Sequence, residues 1–345
     1  MSTDRLVGVD QFVGFLKSHE KILFTTHMTP DGDGLGSELA LMRHLRSTGK
    51  DVRILNCSGV PADLRFLTRT GEVTTFQKGK HEELIAEADA IVAFDLGGAG
   101  RLGRMEGPVR SSGAAKALLD HHIFDNDLFD LLYVDTHASS SAELTHRVLL
   151  ALGARLTLDL AEPLYVGLVQ DTGSFNYNST SPLTHRLAAE YMEAGVNPYR
   201  IWKKLHCQKP FDRVRLMGLN ISRIQLTHGA KIASLQVSLD FLKEHGGEVR
   251  DAFEVVNHFL SIRGVEIGCL ALQIGSERTK FSLRSAGRHD VHAIAREYGG
   301  GGHRFAAGFT VDGRASSEVY EEVMERLGRL VAPDEDVEET QPTRS

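Results

Sequence analysis

The sequence predicts an α/β fold built on a parallel sheet with helices on both faces, followed by a smaller α/β domain. The first observation is that short apolar runs alternate with segments of helical spacing through roughly two-thirds of the chain. The second is that Asp or His residues directly follow several of these runs, at the sheet edge where ligands of such folds bind. The third is that the alternation restarts after Gly229, which indicates the second domain.

The first domain has five segments with the pattern of buried strands and three with the pattern of helices. We expect strands at residues 21–26, 51–56, 90–96, 115–120 and 131–135. We expect helices at residues 37–48, 141–152 and 159–169. Because right-handed crossovers join parallel strands, the strand C-termini lie along one edge of the sheet, and we expect the active site there.

A helical region follows at residues 182–222. In the second domain we expect strands at residues 231–238, 265–274 and 280–284 and helices at residues 251–260 and 291–298. The predicted organisation is a larger domain at residues 1–205, a helical connector at 206–228, a smaller domain at 229–332 and a tail at 333–345. The tail is acidic and polar, so we expect it to be disordered.

Composition narrows the class of partner. The formal net charge is -7, which argues against a basic groove for long nucleic acid. Aromatic content is 7% with a single Trp, Trp202, which argues against a long-strand stacking channel. Cys57, Cys207 and Cys269 are scattered, so we expect reduced thiols in a cytoplasmic protein. With no run of about 18 apolar residues, no membrane span is expected.

The first expected strand runs into a segment rich in glycine that carries His27, Asp31 and Asp33. One imidazole and two carboxylates within seven residues suggest a metal or phosphate site, since glycines permit close approach by a ligand. An Asp-rich turn with a helix cap explains the same residues equally well. The segment alone therefore leaves both interpretations open.

Three later apolar runs also end in candidate ligands. Asp95 follows the third expected strand, although a single Asp in this position is also a common helix cap. The run ending in Asp120 continues into His121 and His122, and adjacent histidines after an Asp are harder to explain as packing. Asp171 ends an apolar helix at a glycine turn.

Together the segments offer six nitrogen or oxygen ligands and no thiolate, as follows: His27, Asp31, Asp33, Asp95, His121 and Asp171. This set suits two divalent ions such as Mn²⁺ better than structural zinc. Two ions about 4 Å apart need a bridging carboxylate, and such pairs clamp both oxygens of a phosphoryl transfer.

In order, these segments resemble the motifs of the DHH phosphoesterases, which are HxxPDGDxxGS, a strand followed by Asp, Asp-His-His and DTGxF. Residues 281–285 and 299–308 resemble the domain associated with that family. The resemblance covers residues 6–332 and is closest to the short nano-RNase or pAp-phosphatase branch. It implies an active site in the cleft between a parallel-sheet DHH domain and a smaller α/β domain.

The resemblance also implies roles for single residues. His27 and Asp31 would hold one metal, and Asp95 would bridge to the second. Asp33, His121 and Asp171 would complete the second site. His122 would face the scissile phosphate, with Asp120 supporting the histidines from behind.

In the associated domain, the resemblance implies phosphate binding by Arg284 and His303, beside Ser285, Gly301 and Gly302. Arg forks onto phosphate, and a glycine run lets backbone N–H groups approach an anion. A glycine run by itself is more typical of a flexible loop, and Arg284 on a strand could be a surface charge.

One residue departs from the family pattern. Gln170 stands where this branch usually has a small residue, which bears on substrate preference but leaves the expected ligands intact.

We therefore expect hydrolysis of very short oligoribonucleotides to mononucleotides, and of pAp to AMP. The alternatives are a phosphodiesterase for cyclic dinucleotides or pApA and, less favoured because all six ligand positions are intact, a nucleotide sensor without catalysis. The expected partners are short RNAs or small nucleotides, with no long nucleic acid and no membrane. A homodimer is plausible by family analogy.

Overall fold

The computed structural model describes residues 5–122 and 127–332. The chain divides after Gln208 into two compact units, here called unit 1 and unit 2. The acidic tail expected to be disordered, residues 333–345, lies outside the described residues. Within the described ranges, no helix is both long enough and apolar enough to cross a membrane.

Unit 1 contains a six-stranded sheet in which every neighbouring pair is parallel, in the order β3-β2-β1-β4-β5-β6. Its strands are β1 (Lys21–Thr26), β2 (Asp51–Asn56), β3 (Val73–Thr75), β4 (Ala90–Phe94), β5 (Ala115–Asp120) and β6 (Leu131–Val134). The predicted parallel sheet is confirmed. The sequence did not reveal β3, because three residues at a sheet edge are too few to show a pattern.

The helices of unit 1 are α1 (Val9–Ser18), α2 (Gly32–Ser47), α3 (Glu82–Ala86), α4 (Glu106–Ser111), α5 (Ser141–Ala151), α6 (Leu158–Asp171), α7 (Pro182–Glu193) and α8 (Pro198–His206). Short 3₁₀ turns occupy Arg65–Leu67 and Ala99–Met105. The helical region predicted at residues 182–222 consists of three helices, α7, α8 and α9 (Phe211–Ser222), of which α9 belongs to unit 2.

Alternate side chains of each strand enter the hydrophobic cores on the two sheet faces. Phe24 and Phe94 belong to the core that includes residues of α1, α2, α5 and α6. Leu23 and Ile91 point the other way, into the core that includes residues of α3 and α4. Because both faces are covered, the central strands are buried along most of their length, as the sequence pattern indicated, while Asp51 and Arg53 of β2 are exposed.

The strand order places a topological switch between β1 and β4. The chain leaves β1 for β2 on one side, and β4 then pairs on the other side of β1. The two connections separate at this point, so their loops open a crevice beyond the C-terminal ends of β1 and β4. This is the edge at which the candidate ligands were expected.

Helix α2 begins five residues before its predicted start, so that boundary was wrong. Three of its first five residues are glycines, whose poor helix propensity concealed the start. Asp31 nevertheless caps the helix by accepting hydrogen bonds from the N–H groups of Asp33 and Gly34. The early start brings Asp33 into the first helical turn.

The glycines are needed because α2 and α6 pack closely. A Cβ on Gly36 would lie 2.3 Å from the carbonyl oxygen of Pro163 in α6, and a Cβ on Gly32 would lie 2.1 Å from Gln170 Oε1. On the α6 side of the contact, a Cβ on Gly167 would lie 2.9 Å from Asp33 Oδ1. Tertiary packing therefore decides this helix start against local propensity.

Unit 2 contains a second six-stranded sheet in the order β11-β12-β10-β9-β8-β7, in which only β8 and β9 pair in parallel. Its strands are β7 (Gln225–Thr227), β8 (Ile232–Val237), β9 (Ile267–Gly275), β10 (Arg278–Ser285), β11 (Gly301–His303) and β12 (Ala306–Asp312). Its helices are α9 (Phe211–Ser222), α10 (Leu239–Glu244), α11 (Val249–Ala252), α12 (Val256–Phe259), α13 (Val291–Glu297) and α14 (Ser316–Val331).

Two predictions for unit 2 need correction. The helix expected at residues 251–260 is broken by a 3₁₀ turn, Phe253–Val255, between α11 and α12. The glycine run is partly a strand, since Gly301–His303 forms β11 at the sheet edge. Both sheet faces are again covered, by α13 and α14 on one side and by α10 to α12 on the other.

Candidate metal centre

The loop after β1 brings an imidazole and a carboxylate together. His27 is 3% exposed, and its Nε2 lies 3.3 Å from Asp31 Oδ2. Asp31 divides its two oxygens, because Oδ1 accepts the N–H groups of Asp33 and Gly34. The helix-cap interpretation is therefore confirmed for Asp31, whose second oxygen faces His27.

Asp33 lies fully buried in the first turn of α2. Its Oδ2 accepts the N–H of Ser141 at 2.6 Å and its Oδ1 accepts the N–H of Ala142 at 2.8 Å. These groups belong to the first turn of α5, where the helix dipole favours a negative charge. Asp33 Oδ2 also lies 3.8 Å from His121 Nε2.

Asp95, directly after β4, stands between two groups of residues. Its Oδ2 lies 3.5 Å from His27 Nε2, and its Oδ1 lies 3.5 Å from His121 Nε2 and 3.3 Å from His122 Nδ1. Its φ of 50° is in the left-handed region, which Asp tolerates better than most residues. The unusual backbone turns this side chain across the sheet edge, which suits a bridging carboxylate.

Asp120 ends β5 and accepts hydrogen bonds from the residues around it. Its Oδ2 accepts the N–H groups of Leu96 and Gly97, at 2.9 Å and 2.7 Å. Its Oδ1 lies 2.8 Å from His122 Nδ1 and also accepts the His122 N–H. Asp120 therefore joins the loop after β4 to the loop after β5 and sets the orientation of the His122 ring.

Asp171 reaches the same place from the end of α6. Its Oδ2 lies 3.2 Å from His121 Nε2, while His121 Nδ1 lies 3.4 Å from the carbonyl oxygen of Ala138. If Nδ1 donates to that carbonyl, Nε2 presents its lone pair to the carboxylates. Every candidate ligand of unit 1 therefore converges at one edge of the sheet.

The convergent residues form overlapping groups whose ligand atoms lie within 4.8 Å of one another. The groups are His27 with Asp31 and Asp95, Asp33 with His121 and Asp171, and Asp95 with His121 and His122. Asp95 occurs in two groups and His121 in two, so the arrangement is continuous. These groups could hold metal ions, and Asp95 and His121 connect each group to the next.

The carboxylates change the acidity of both histidines. Burial lowers the pKa of His27, but Asp31 and Asp95 outweigh burial and raise it to about 9. Burial likewise opposes the charged form of His121, while Asp95, Asp33 and Asp171 raise its pKa to about 10. The negative charge of the carboxylates thus outweighs burial in setting both histidine pKa values. Such excess negative charge also attracts cations.

The pKa values of the three acids shift in different directions. Burial raises the pKa of Asp171 to about 7, and burial together with the charges of Asp95 and Asp171 raises that of Asp33 well above its ordinary value. Burial also acts against ionisation of Asp95, but His121 and His27 hold its pKa well below the usual range. Of these three acids, Asp95 is therefore the one whose ionised form its neighbours favour.

A divalent cation fits these residues. His27 Nε2, His121 Nε2 and Asp95 Oδ1 are buried and make no hydrogen bond among the described residues. Buried polar atoms are rarely left without a partner, and carboxylate oxygens with imidazole nitrogens are the donors that Mn²⁺ and similar ions accept. The unpaired atoms are the ones that ligation would satisfy.

In unit 2, the sheet register aligns two of the candidate phosphate-binding residues. Arg284 on β10 pairs with Ala306 on β12, and Ala306 pairs with His303 on β11. Residues directly opposite each other project from the same sheet face, so Arg284 and His303 share a face with only a small side chain between them. His303 is exposed and Arg284 is partly buried.

The other unit 2 candidates have different surroundings. Ser285 is buried, and its hydroxyl accepts the N–H of His289 at 3.1 Å, so it stabilises a turn on the face opposite Arg284. Gly301 and Gly302 lie on the exposed edge strand. Gly302 has a φ of 135°, and a Cβ there would lie 2.5 Å from the Ala306 carbonyl oxygen, so this position requires glycine.

Comparison with known proteins agrees with this arrangement. Residues 21–168 match the DHH family, N-terminal domain, and residues 229–332 match the DHHA1 domain. A Thermus thermophilus protein named bifunctional oligoribonuclease and PAP phosphatase NrnA is 30% identical over 308 residues, which make up 89% of each chain. The chain belongs to the DHH phosphoesterase family.

Further DHH relatives extend the likeness. A Bacillus subtilis protein with the same name is 26% identical over 304 residues, covering 87% of this chain and 92% of that one. The crystal structure of an exopolyphosphatase-related protein from Bacteroides fragilis superposes with a TM-score of 0.87 at 28% identity, covering 93% and 96% of the two chains. The relationship therefore includes both the DHH domain and the DHHA1 domain.

Sequence reasoning missed Arg101 in the DHH domain. Its Nη1 lies 2.9 Å from the point that a Cβ on Gly97 would occupy, and such a Cβ would also lie 3.6 Å from the His122 ring. The Arg101 carbonyl oxygen accepts the N–H of Met28. The available signal was an Arg within the glycine-rich loop that follows Asp95.

Gln170, noted as a departure from the family pattern, has a structural contact. Its Oε1 accepts the N–H of Gly32 at 2.5 Å and so joins the end of α6 to the start of α2. Gln170 therefore helps to hold Asp171 beside the loop that carries Asp31.

Proposed function

We propose that this protein is a metal-dependent phosphodiesterase and phosphatase that degrades very short oligoribonucleotides to mononucleotides and converts pAp to AMP. The observation that carries the proposal is the chain of three ligand groups, in which the group that contains His122 shares Asp95 with one of the others and His121 with the other. Support also comes from DHH relatives, matched over nearly their whole length, that are named oligoribonuclease and PAP phosphatase.

We propose Mn²⁺ as the metal, with two ions per chain. His27 and Asp31 would hold the first ion, Asp33, His121 and Asp171 would hold the second, and Asp95 would lie between them. Bound there, such ions would supply a water of lowered pKa and positive charge to offset that on the phosphoryl oxygens. The absence of thiolate among these ligands favours Mn²⁺ over structural zinc.

The protein's own residues orient the reaction. Asp120 accepts from His122 Nδ1, so a proton that His122 gives to the leaving oxygen comes from Nε2. Because Asp120 also accepts two backbone N–H groups of the loop after Asp95, the position of His122 is tied to that of the shared carboxylate. This coupling keeps the proton donor aligned with the phosphate site.

Phosphate groups of the substrate need positive charge from the protein. In the DHHA1 domain, Arg284 and His303 occupy one sheet face, with the backbone of Gly301 and Gly302 on the neighbouring edge. In the DHH domain, Arg101 lies beside the His122 loop. We propose that these groups bind substrate phosphates, while the net charge of -7 disfavours long nucleic acids.

We also propose a cytoplasmic location, which the three free cysteines favour. The homodimer expected from family analogy stays a prediction.

The test is a product assay with the full chain and Mn²⁺. Substrates are 5′-phosphorylated RNAs of two to five nucleotides, a 24-nucleotide RNA, pAp, pApA and cyclic di-AMP. We expect the short RNAs and pAp to be converted to mononucleotides, the 24-nucleotide RNA to react far more slowly, and Asp95→Ala to be inactive. The matched control is Asp130→Asn, an exposed carboxylate that accepts the Lys116 N–H where β5 begins, at the opposite end from Asp120.

Other outcomes would redirect the assignment. A strong preference for pApA or cyclic di-AMP would indicate a signalling phosphodiesterase. Tight nucleotide binding with no turnover of any substrate would indicate a sensor and overturn the enzymatic proposal.

A further inference from the structure

An exposed aromatic groove lies on the flank of α6 in unit 1. It encloses about 300 Å³ and is lined by parts of α6, of the turn after α6 and of α8. Its most accessible rings belong to Tyr199, which is 68% exposed, and Trp202, which is 49% exposed. Large aromatic side chains that are this exposed and lie next to each other indicate an interaction surface.

The groove wall formed by α8 presents flat ring faces. Ile201 and Leu205 are buried and anchor the helix, whereas Tyr199, Trp202 and His206 follow one another along its exposed side. The Tyr199 and Trp202 rings are 6.4 Å apart at an interplanar angle of 22°, and the His206 ring is 6.1 Å from Trp202. Nearly parallel rings such as those of Tyr199 and Trp202 stack with nucleobases regardless of base identity, whereas the His206 ring is tilted at 48° to Trp202.

The groove begins close to the metal centre. Ser174 and Phe175 line it, and they follow Asp171 by three and four residues. Consecutive Cα atoms are 3.8 Å apart, so the Cα of Ser174 is at most about 11 Å from that of Asp171. A chain of nucleotides leaving the metal centre can therefore enter the groove.

The turn that joins the two sites has an unusual backbone. Ser174 and Phe175 have φ values of 57° and 67°, which a bulky side chain rarely adopts. The Thr172 hydroxyl accepts the Phe175 N–H at 3.2 Å, and the Val169 carbonyl accepts the Ser174 N–H at 2.7 Å. These bonds hold the strained turn in the shape that directs it into the groove.

Charge on α8 favours an anionic occupant. Arg200, Lys203 and Lys204 are exposed and form no ion pair among the described residues. Lys203 is one helical turn after Tyr199, so its ammonium group borders the aromatic surface. A second copy of the chain docking here by two-fold symmetry would bring these cations toward their own equivalents, which favours single-stranded RNA as the occupant.

We propose that this groove is a base-stacking subsite for nucleotides beyond the one whose phosphate is attacked, so that substrates of three or more nucleotides use it. The inference rests on the proposed function. It adds that the groove would make the enzyme bind RNAs of three or more nucleotides more tightly than shorter substrates. Stacking contributes in proportion to the number of bases bound, whereas pAp has one base and gains little from the groove.

Because Trp202 is the only tryptophan of the chain, its fluorescence reports on the groove directly. Full-length protein is titrated with 5′-phosphorylated pentaadenylate, with chelator present so that no hydrolysis occurs, and separately with pAp. We expect saturable quenching with the pentamer and little with pAp. In the presence of Mn²⁺, Trp202→Ala and Tyr199→Ala should each raise KM for the pentamer by about 5- to 150-fold and raise KM for pAp far less.

The matched control is Phe211→Ala, which removes an aromatic ring that is 77% exposed on unit 2. It should leave both KM values unchanged. Equal effects of Trp202→Ala on pAp and the pentamer, or normal hydrolysis with no quenching, would overturn the groove assignment while leaving the proposed function intact. A change of oligomeric state in Trp202→Ala on sedimentation would overturn it in favour of an interface between copies. Quenching without turnover of any substrate would instead remove the proposed function and keep the subsite.

Discussion

At the scale of single residues, the centre depends on carboxylates that use both oxygens for different purposes. Asp31 caps α2 with one oxygen and faces His27 with the other. Asp120 accepts two backbone N–H groups with one oxygen and holds His122 with the other. The structural and chemical roles of these residues therefore belong together, and one substitution affects both.

Asp120 gives the clearest prediction of this kind. One oxygen of Asp120 accepts from the backbone and the other faces His122 Nδ1. Asp120→Asn has only one side-chain oxygen, so it cannot accept from the backbone and from His122 at the same time. We expect the free energy of unfolding to fall by about 2 kcal/mol, and kcat/KM for short RNA to fall by about 10- to 100-fold. Urea unfolding and the product assay measure the two effects. The exposed control Asp130→Asn should change neither much, and equal losses in the two variants would contradict the role given to Asp120.

Glu38 predicts a pH effect on stability. It is fully buried in α2, and its Oε2 accepts from Asn56 at 2.8 Å while Oε1 has no hydrogen-bond partner among the described residues. Burial raises the pKa of Glu38 from 4.5 to about 8, against the opposing effect of Asn56. The folded protein thus keeps a proton that the unfolded chain loses, so stability from this group is full below pH 4.5 and declines as the pH approaches 8.

Glu38→Gln mimics the protonated side chain and should remove this decline. At pH 8 the variant should exceed the parent protein in unfolding free energy by about 4 kcal/mol, and at pH 5 by only about 1 kcal/mol. Urea unfolding at several pH values with chelator present measures this, with the exposed exchange Glu83→Gln as the control. A difference that does not grow with pH would show that Glu38 is ionised in the folded protein.

At the scale of secondary-structure elements, the position of Asp33 and Asp171 depends on the close approach of α2 and α6. Glycines at the contact make this approach possible, and Gln170 ties the end of α6 to the start of α2. The metal centre is thus supported by helix packing as well as by the strand ends. A change in the distance between these helices would separate Asp31 from Asp171 without altering any ligand.

Two glycine substitutions test this packing. In Gly36→Ala the new Cβ would lie 2.3 Å from the Pro163 carbonyl oxygen, so we expect a loss of roughly 1 to 3 kcal/mol in unfolding free energy. In Gly14→Ala, inside α1, a Cβ meets nothing within 4 Å, so we expect a gain of roughly 0.5 to 1 kcal/mol. Denaturant unfolding of both variants gives the comparison. The same sign of change in both would mean that backbone entropy, not helix contact, governs Gly36.

At the scale of the whole molecule, cation binding should be linked to stability and to pH. Binding requires neutral His27 and His121, whose pKa values are raised to about 9 and about 10 by the surrounding carboxylates after the opposing effect of burial. These pairings stabilise the metal-free protein fully below pH 6.5, and that contribution is lost as the pH rises through 9 to 10. A cation replaces these protons, so its apparent affinity must increase with pH.

We therefore predict that Mn²⁺ raises the unfolding temperature and that the increase grows from pH 6 to pH 9. At a free concentration one hundred times Kd, one bound ion adds about 2.7 kcal/mol to the unfolding free energy. Thermal unfolding with Mn²⁺ or chelator measures this. Asp171→Asn should reduce the increase and Asp130→Asn should not. A stabilisation that weakens as the pH rises would contradict proton displacement from the histidines.

Much of the fold was accessible from the sequence because its signals are local. Three strands of the first sheet, β1, β2 and β5, were predicted to the residue at both ends, since buried parallel strands are apolar runs bounded by polar residues. Most candidate ligands of unit 1 were recognised because they follow such a strand, whereas Asp171 was recognised at the end of an apolar helix. The start of α2, the break between α11 and α12, and the strand formed by Gly301–His303 were not, since packing overrides local propensity there.

The sequence by itself predicted the candidate ligands and that they would meet at one edge of a parallel sheet, and the structure brings them together there. Only the tertiary structure decided that Asp95 divides its oxygens between two groups, that Ser285 faces away from Arg284, and that Trp202 is exposed in a groove beside the turn after Asp171. Spacing along the chain specifies the residue at a strand end. The direction of its side chain depends on backbone angles and on neighbours distant in sequence, which a local pattern does not contain.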